Sequence, residues 1–178
     1  MLTKIKTASL RGVDGYPVTV ETDVHRGLPG FQIVGLADTT IKEAFSRIRP
    51  AILNSGYQFP REKVTVNLSP AGKPKEGSHF DLPIALGILM LGMENGMQLQ
   101  DTAFFGELSL DGKINPIRGA LPLALCARKS GAKHIVLPLA NCEEAAVLGD
   151  VDLIPVSDLM QAVRCLENPQ ERSPYIRK

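Results

Sequence analysis

Three side chains suited to nucleophilic catalysis fall within four residues: the hydroxyl of Ser78, the imidazole of His79 and the carboxylate of Asp81. An alcohol attacks a carbonyl only when a base takes its proton, and a carboxylate can orient that base. Such a triad is defined by geometry, and residues this close in sequence seldom place the base between the other two. The default reading makes Ser78 and His79 loop residues and Asp81 the N-cap of the apolar helix that follows. His25, His79 and His134 are far apart and lack a paired cysteine or carboxylate set, so no metal centre is expected. Cys126, Cys142 and Cys165 are odd in number and show no CxxC spacing, which reads as buried, reduced thiols. The nearest approach to a phosphate loop, Ala71-Gly72-Lys73-Pro74, has proline where Mg²⁺ chemistry needs a hydroxyl and lacks the upstream glycine. No cofactor is therefore expected in this segment.

The cations Lys73, Lys75, Arg47, Arg49 and Arg61, joined by Arg26 and Lys63, form the candidate surface for DNA or an acidic partner. Residues 1–80 hold 11 lysines and arginines against 7 acids, enough for a local basic patch. The net charge of the whole chain is +1, which excludes a general attraction to polyanions. Phosphate contact requires these charges to gather on one face, which spacing alone does not establish. The chain has no tryptophan, so base stacking is poorly served. A solvated surface is the default, with direct DNA contact as the alternative.

The elements that must position these groups are legible from periodicity. Val18, Val20 and Val24 alternate with polar residues as a half-buried strand, and Gly12 with Asp14-Gly15 marks a hairpin turn before it. Residues 31–34 form a third strand. Ile41, Ala44, Phe45, Ile48 and Ile52 share one helical face, with Thr40 and Glu43 as a capping box and Asp38 as the competing cap. Pro50 must kink that helix or end its regular part. Val64, Val66 and Leu68 alternate as another strand, and a loop rich in proline, glycine and lysine leads to the apolar run at residues 82–93. That run is too short to span a bilayer and reads as a buried helix, in which Gly87 and Gly92 permit close packing. The second half alternates strand and helix, with Asn141 and Ser157 as expected caps. The N-terminus has no apolar signal segment.

Two stretches carry a family resemblance: Pro74-Lys75-Glu76-Gly77, and the run from Gly106-Glu107-Leu108 through Asp111-Gly112 to Pro116-Ile117. Together they resemble the proteolytic domain of Lon-type proteases, whose nucleophile is a serine and whose base is a lysine. Laid on this chain, the serine position falls on His79 and the lysine position on Leu121. Leucine accepts no proton, so the resemblance implies a scaffold whose catalytic dyad has gone. The segments Gly30-Phe31-Gln32-Ile33-Val34-Gly35-Leu36-Ala37-Asp38, Val66-Asn67-Leu68-Ser69-Pro70-Ala71 and Ser78-His79-Phe80-Asp81-Leu82-Pro83 are similar to the N-terminal domain of the ComM/YifB, magnesium chelatase-like AAA+ ATPases. This likeness covers nearly the whole chain.

The resemblance implies an α/β fold of the two-layer, Lon-proteolytic type, with a strand-rich N-terminal part followed by βα units. It implies a domain at residues 1–166 and a linker at residues 167–178 toward an AAA+ domain, which would hold the ATP and Mg²⁺ chemistry. It further implies a cytoplasmic hexameric ATPase resembling a DNA helicase and branch-migration factor of natural transformation, with this segment as a non-catalytic assembly, regulatory or substrate-guiding module. The expected partners are the AAA+ domain of the same chain, further copies of the protein and DNA; no membrane contact is expected. A DNA-binding module, and a serine peptidase with a rearranged site around Ser78 and His79, are the rival readings.

Overall fold

The computed structural model describes residues 1–93 and 99–177. Lys178, the last residue of the expected linker, lies outside the described residues. Strands β1 (Leu2–Arg11) and β2 (Asp14–His25) form an antiparallel hairpin in which Arg11 faces Asp14. Two residues remain for the turn, and the first, Gly12, has φ of 65°, a conformation that side chains resist. Asp14 and Gly15 already belong to β2. Strand β3 (Gly30–Val34) follows, then the short helix α1 (Thr39–Lys42), α2 (Ala44–Asn54) and β4 (Lys63–Ser69). A helical turn at Ser78–Phe80 opens into α3 (Asp81–Met90). After it come β5 (Thr102–Phe104), β6 (Glu107–Leu108), β7 (Ile114–Asn115), α4 (Ala120–Lys129) and β8 (His134–Pro138). The described chain closes with α5 (Cys142–Ala145), β9 (Asp152–Val156) and α6 (Leu159–Glu167).

Seven strands make one sheet in the order β3-β4-β2-β1-β5-β8-β9, and β6 pairs with β7 separately. Pairing of β2 with β1 and with β4 is antiparallel; the other four pairs are parallel. The chain thus has the α/β architecture its patterning implied. Neighbouring residues of the parallel strands feed two cores. Phe104, Val136 and Ile154 join the cluster holding Ile48, Leu82 and Leu159. Ala103, Ile135 and Leu153 join Leu123 and Cys142. Because successive side chains point to opposite faces of a strand, helices cover both sides here, and α4 and α5 form a further layer over the expected two.

Several details differ from the sequence reading. The first helix is two pieces, broken at Glu43, and Asp38 rather than Thr40 caps it, its Oδ1 accepting from Ile41 N at 2.8 Å. α2 runs through Pro50; Ser46, whose carbonyl loses its amide partner, is exposed, so water can take that oxygen. Asp158, one place after Ser157, caps α6. Asn141 caps no helix amide: its Oδ1 accepts from Ile117 N, and its Nδ2 donates to Ile117 O and to Glu144 Oε1. The tail is not a free linker as far as it is described. Tyr175 N donates to Leu153 O at 2.7 Å on the terminal strand β9, and Arg172 Nε donates to Cys165 O. No described helix is long and apolar enough to cross a membrane.

Candidate functional site

The loop between β4 and α3 is fixed by a lysine. Lys75 is buried, and its Nζ donates to Gly35 O at 2.8 Å and to Pro70 O. Its backbone N–H donates to Leu36 O and its carbonyl accepts from Asp38 N, so the side chain and main chain together tie the loop to the exit of β3. Burial pushes the ammonium below its ordinary pKa. Lys75 therefore offers nothing to an external polyanion, which corrects its place on the candidate surface. A lysine flanked by prolines and glycine reads as solvated; its acceptors lie 40 and 5 residues away, and no local pattern reveals them.

Beyond Lys75 the chain turns at Gly77, whose φ is 110°. A Cβ there would meet His79 Nδ1 at 2.7 Å. His79 is buried, with its ring centroid 4.5 Å from that of Phe80 and 6.0 Å from that of Phe105. Nε2 lies 2.7 Å from Ala8 O. A carbonyl only accepts, so Nε2 carries the proton and donates. Burial holds the ring down to about 4, against the opposing pull of Ala8 O and Asp38, so it is neutral at physiological pH. The His79 imidazole is thus a packing element.

Ser78 turns the other way. Its hydroxyl donates to Glu107 Oε2, Glu107 Oε1 accepts from Asn115 Nδ2 at 3.1 Å, and Asn115 Oδ1 accepts from Ser109 Oγ at 3.0 Å. A carboxylate alone is too weak a base to activate an alcohol, and a catalytic serine needs an imidazole or a desolvated amine beside it. The His79 ring bonds Ala8 O and the Lys75 ammonium bonds Gly35 O and Pro70 O, so neither is the hydrogen-bond partner of the Ser78 hydroxyl. Leu121 is half-buried in the first turn of α4, and Leu123 lies in the same buried cluster as Phe105.

Asp81 is not a helix cap. It is fully buried, and Arg47 grips it at both oxygens, Nε to Oδ2 at 2.7 Å and Nη2 to Oδ1 at 2.9 Å, while Leu108 N donates to Oδ2. Burial pushes Asp81 up to about 6, with Arg47 and the Leu108 amide pulling it back toward the charged form. Asp81 in turn raises Arg47. The pair braces α2 against α3 and β6, so Arg47 also leaves the candidate surface. Lys73 is exposed with its Nζ 5.2 Å from the Tyr16 ring centre. Arg49 and Arg61 are exposed and line a separate cleft beside β3. The five candidate cations thus occupy four different settings. Glu107 and Asn115, the partners that hold Ser78, are the groups the sequence reading left without a role; Glu107 sits in the quoted Gly-Glu-Leu motif, but its partner is 29 residues away.

A family model described as subunit ChlI of Mg-chelatase matches residues 20–141. YifB of Escherichia coli is 42% identical over 163 residues, which is 91% of this chain and 32% of that protein. The competence protein ComM of Haemophilus influenzae is 38% identical over 164 residues, 92% of this chain and 32% of that protein. Lon protease 2 of Syntrophobacter fumaroxidans is 29% identical over 174 residues, 88% of this chain and 22% of that protein. The chain spans about a third of the length of the YifB and ComM relatives. Shared by match and by motif, its place is settled: the chain belongs to the Mg-chelatase-like AAA+ family that includes YifB and ComM.

Proposed function

We propose that this chain is a non-catalytic assembly, regulatory or substrate-guiding domain of a hexameric, cytoplasmic AAA+ ATPase. One observation carries the reading: the hydroxyl, imidazole and amine of the loop that resembles the Lon nucleophile segment are each committed elsewhere. Ser78 donates to a carboxylate, His79 donates to Ala8 O, and Lys75 is spent on two carbonyls. Nucleophilic catalysis needs one of these bases free beside the hydroxyl. The remaining two-thirds of a protein the length of YifB or ComM is where ATP and Mg²⁺ chemistry belongs in this reading, and a DNA helicase driving branch migration in natural transformation is the activity the ComM relationship suggests for the parent.

The test is chemical. A fluorophosphonate probe and a casein digest, run on this chain and on Ser78→Ala, are expected to give no labelling and no cleavage in either. Labelling that disappears in Ser78→Ala would overturn the non-catalytic reading. In the full-length protein, deletion of residues 1–166 should leave an ATPase whose assembly or DNA-stimulated turnover is altered. Unchanged assembly and unchanged stimulation would defeat the assembly and guiding role.

A further inference from the structure

An open cleft of about 1510 Å³ lies at the β3 end of the sheet, bounded by β3, α2 and the segment at residues 57–62. The order of the chain builds it. β3, α2 and β4 form a parallel crossover in which Gly30 pairs with Lys63, so the segments leading into two adjacent strands start side by side. Arg26 precedes the first, Arg61 precedes the second, and Arg49 comes from the helix between them. All three are exposed, and none makes an ion pair among the described residues. Glu62 is the single acid among the described lining residues. The floor is apolar: Phe31 and Phe45 pack at 4.7 Å between centroids, and Phe59 meets Phe45 edge-on at 5.8 Å.

This cleft is separate from the degenerate protease site. None of Ser78, His79 or Glu107 lines it, and α3 runs from the one to the other, ten residues or about 15 Å. Beside it, β3 is the terminal strand of the sheet, paired among the described residues only with β4. Its other edge presents main-chain N–H and C=O groups that a further strand can use.

We propose that the cleft binds an extended polypeptide segment in which acidic and apolar residues alternate. The period of two along such a segment sets apolar side chains on the phenylalanine floor and carboxylates toward the guanidinium rim, while the backbone adds to the open edge of β3. Arginine suits this role because its fork matches a carboxylate at two points. A single-stranded nucleic acid fits less well. Its bases need free ring faces to stack on, whereas these rings pack against one another, and its backbone makes no use of a strand edge. The proposal goes beyond the non-catalytic role above and does not depend on the motor.

The test is fluorescence anisotropy on the chain with a fluorescein-labelled peptide of alternating glutamate and phenylalanine or leucine. Saturable binding is expected, weakening with added salt and absent for the same peptide with lysine in place of glutamate. Arg49→Gln combined with Arg61→Gln should raise Kd about tenfold, the loss of two exposed ion pairs, with near-ultraviolet circular dichroism showing the fold intact. Failure of the acidic peptide to saturate, or binding that the double variant does not weaken, would overturn the proposal. So would a thymidine oligonucleotide that binds and that the peptide cannot displace, or self-association of the chain that the double variant abolishes. These readouts report on the cleft alone, so their failure leaves the Ser78 labelling result untouched.

Discussion

His79 and Asp81 are two residues apart, both buried, and both shifted, but in opposite senses with respect to acid. The unfolded chain protonates a histidine near 6.5, while the folded ring resists until about 4. Between these values the unfolded state holds more protons, so the histidine's contribution to stability is full at neutral pH and is lost as pH falls through that window. Asp81 works the other way: it takes up a proton near 6 when folded and near 3.8 when unfolded, so its contribution grows as pH falls through the same range. The two largely cancel in the native protein. His79→Gln, which can still donate to Ala8 O, removes one side of the balance. Urea unfolding at neutral pH and at about pH 4.5 should show the variant gaining on the wild type by about 2–3 kcal/mol in acid; a constant difference would mean that the ring is not held neutral. At this scale the sequence offered His79 and Leu121 where the resemblance to Lon proteases expects a serine and a lysine. It concealed what the substitutes do. Asp81 looks like a cap because caps and buried ion-pair partners are the same residue type, and its partner Arg47 is 34 residues away.

At the scale of elements, α3 shows both what local pattern conveys and where it stops. Residues 81–88 are all buried, and an unbroken apolar run at that length reads as a core helix. The glycine inside it has a tertiary purpose. A Cβ on Gly87 would come within 2.7 Å of Thr22 Oγ1 and 3.3 Å of Thr22 Cβ, and Thr3 Oγ1 donates to Gly87 O at 2.7 Å, so the helix lies directly on β1 and β2. Gly87→Ala gains helix propensity yet must push these apart, and it should cost about 1–3 kcal/mol in chemical denaturation. A stabilised variant would mean that the sheet yields at no cost. Gly92, read the same way from sequence, lies past the helix with no comparably close neighbour, because close packing is decided by what faces a glycine rather than by the glycine. The caps follow the same logic on a smaller scale. Ser157 and Asp158 are adjacent and both can accept from a helix N-terminus, and only the backbone's entry angle selects Asp158.

Across the whole molecule, the two ends of the sheet are treated differently. Among the described residues β3 has no strand on its outer edge beside the arginine-rimmed cleft, whereas β9 is partly covered by the segment around Tyr175. That covering was hidden in the sequence because a polar stretch with two prolines lacks periodicity, and docking through a few anchors requires none. The anchors are Tyr175, whose N–H reaches Leu153 O and whose hydroxyl donates to Glu143 at 2.7 Å, and Arg172, which reaches back to Cys165 O. The Tyr175 ring also packs on the cluster under α4 and α5. Tyr175→Ala removes the ring and the hydroxyl bond while sparing the backbone one. Losing the ring's packing on that cluster should lower Tm. Calorimetry should find that shift, and hydrogen exchange should show the Tyr175 amide losing protection in the variant, since that amide is the one held by the edge strand. An unchanged Tm together with an amide already exchanging freely in the wild type would show that the tail leaves β9 uncovered in solution, and both edges of the sheet would then be open to a partner strand.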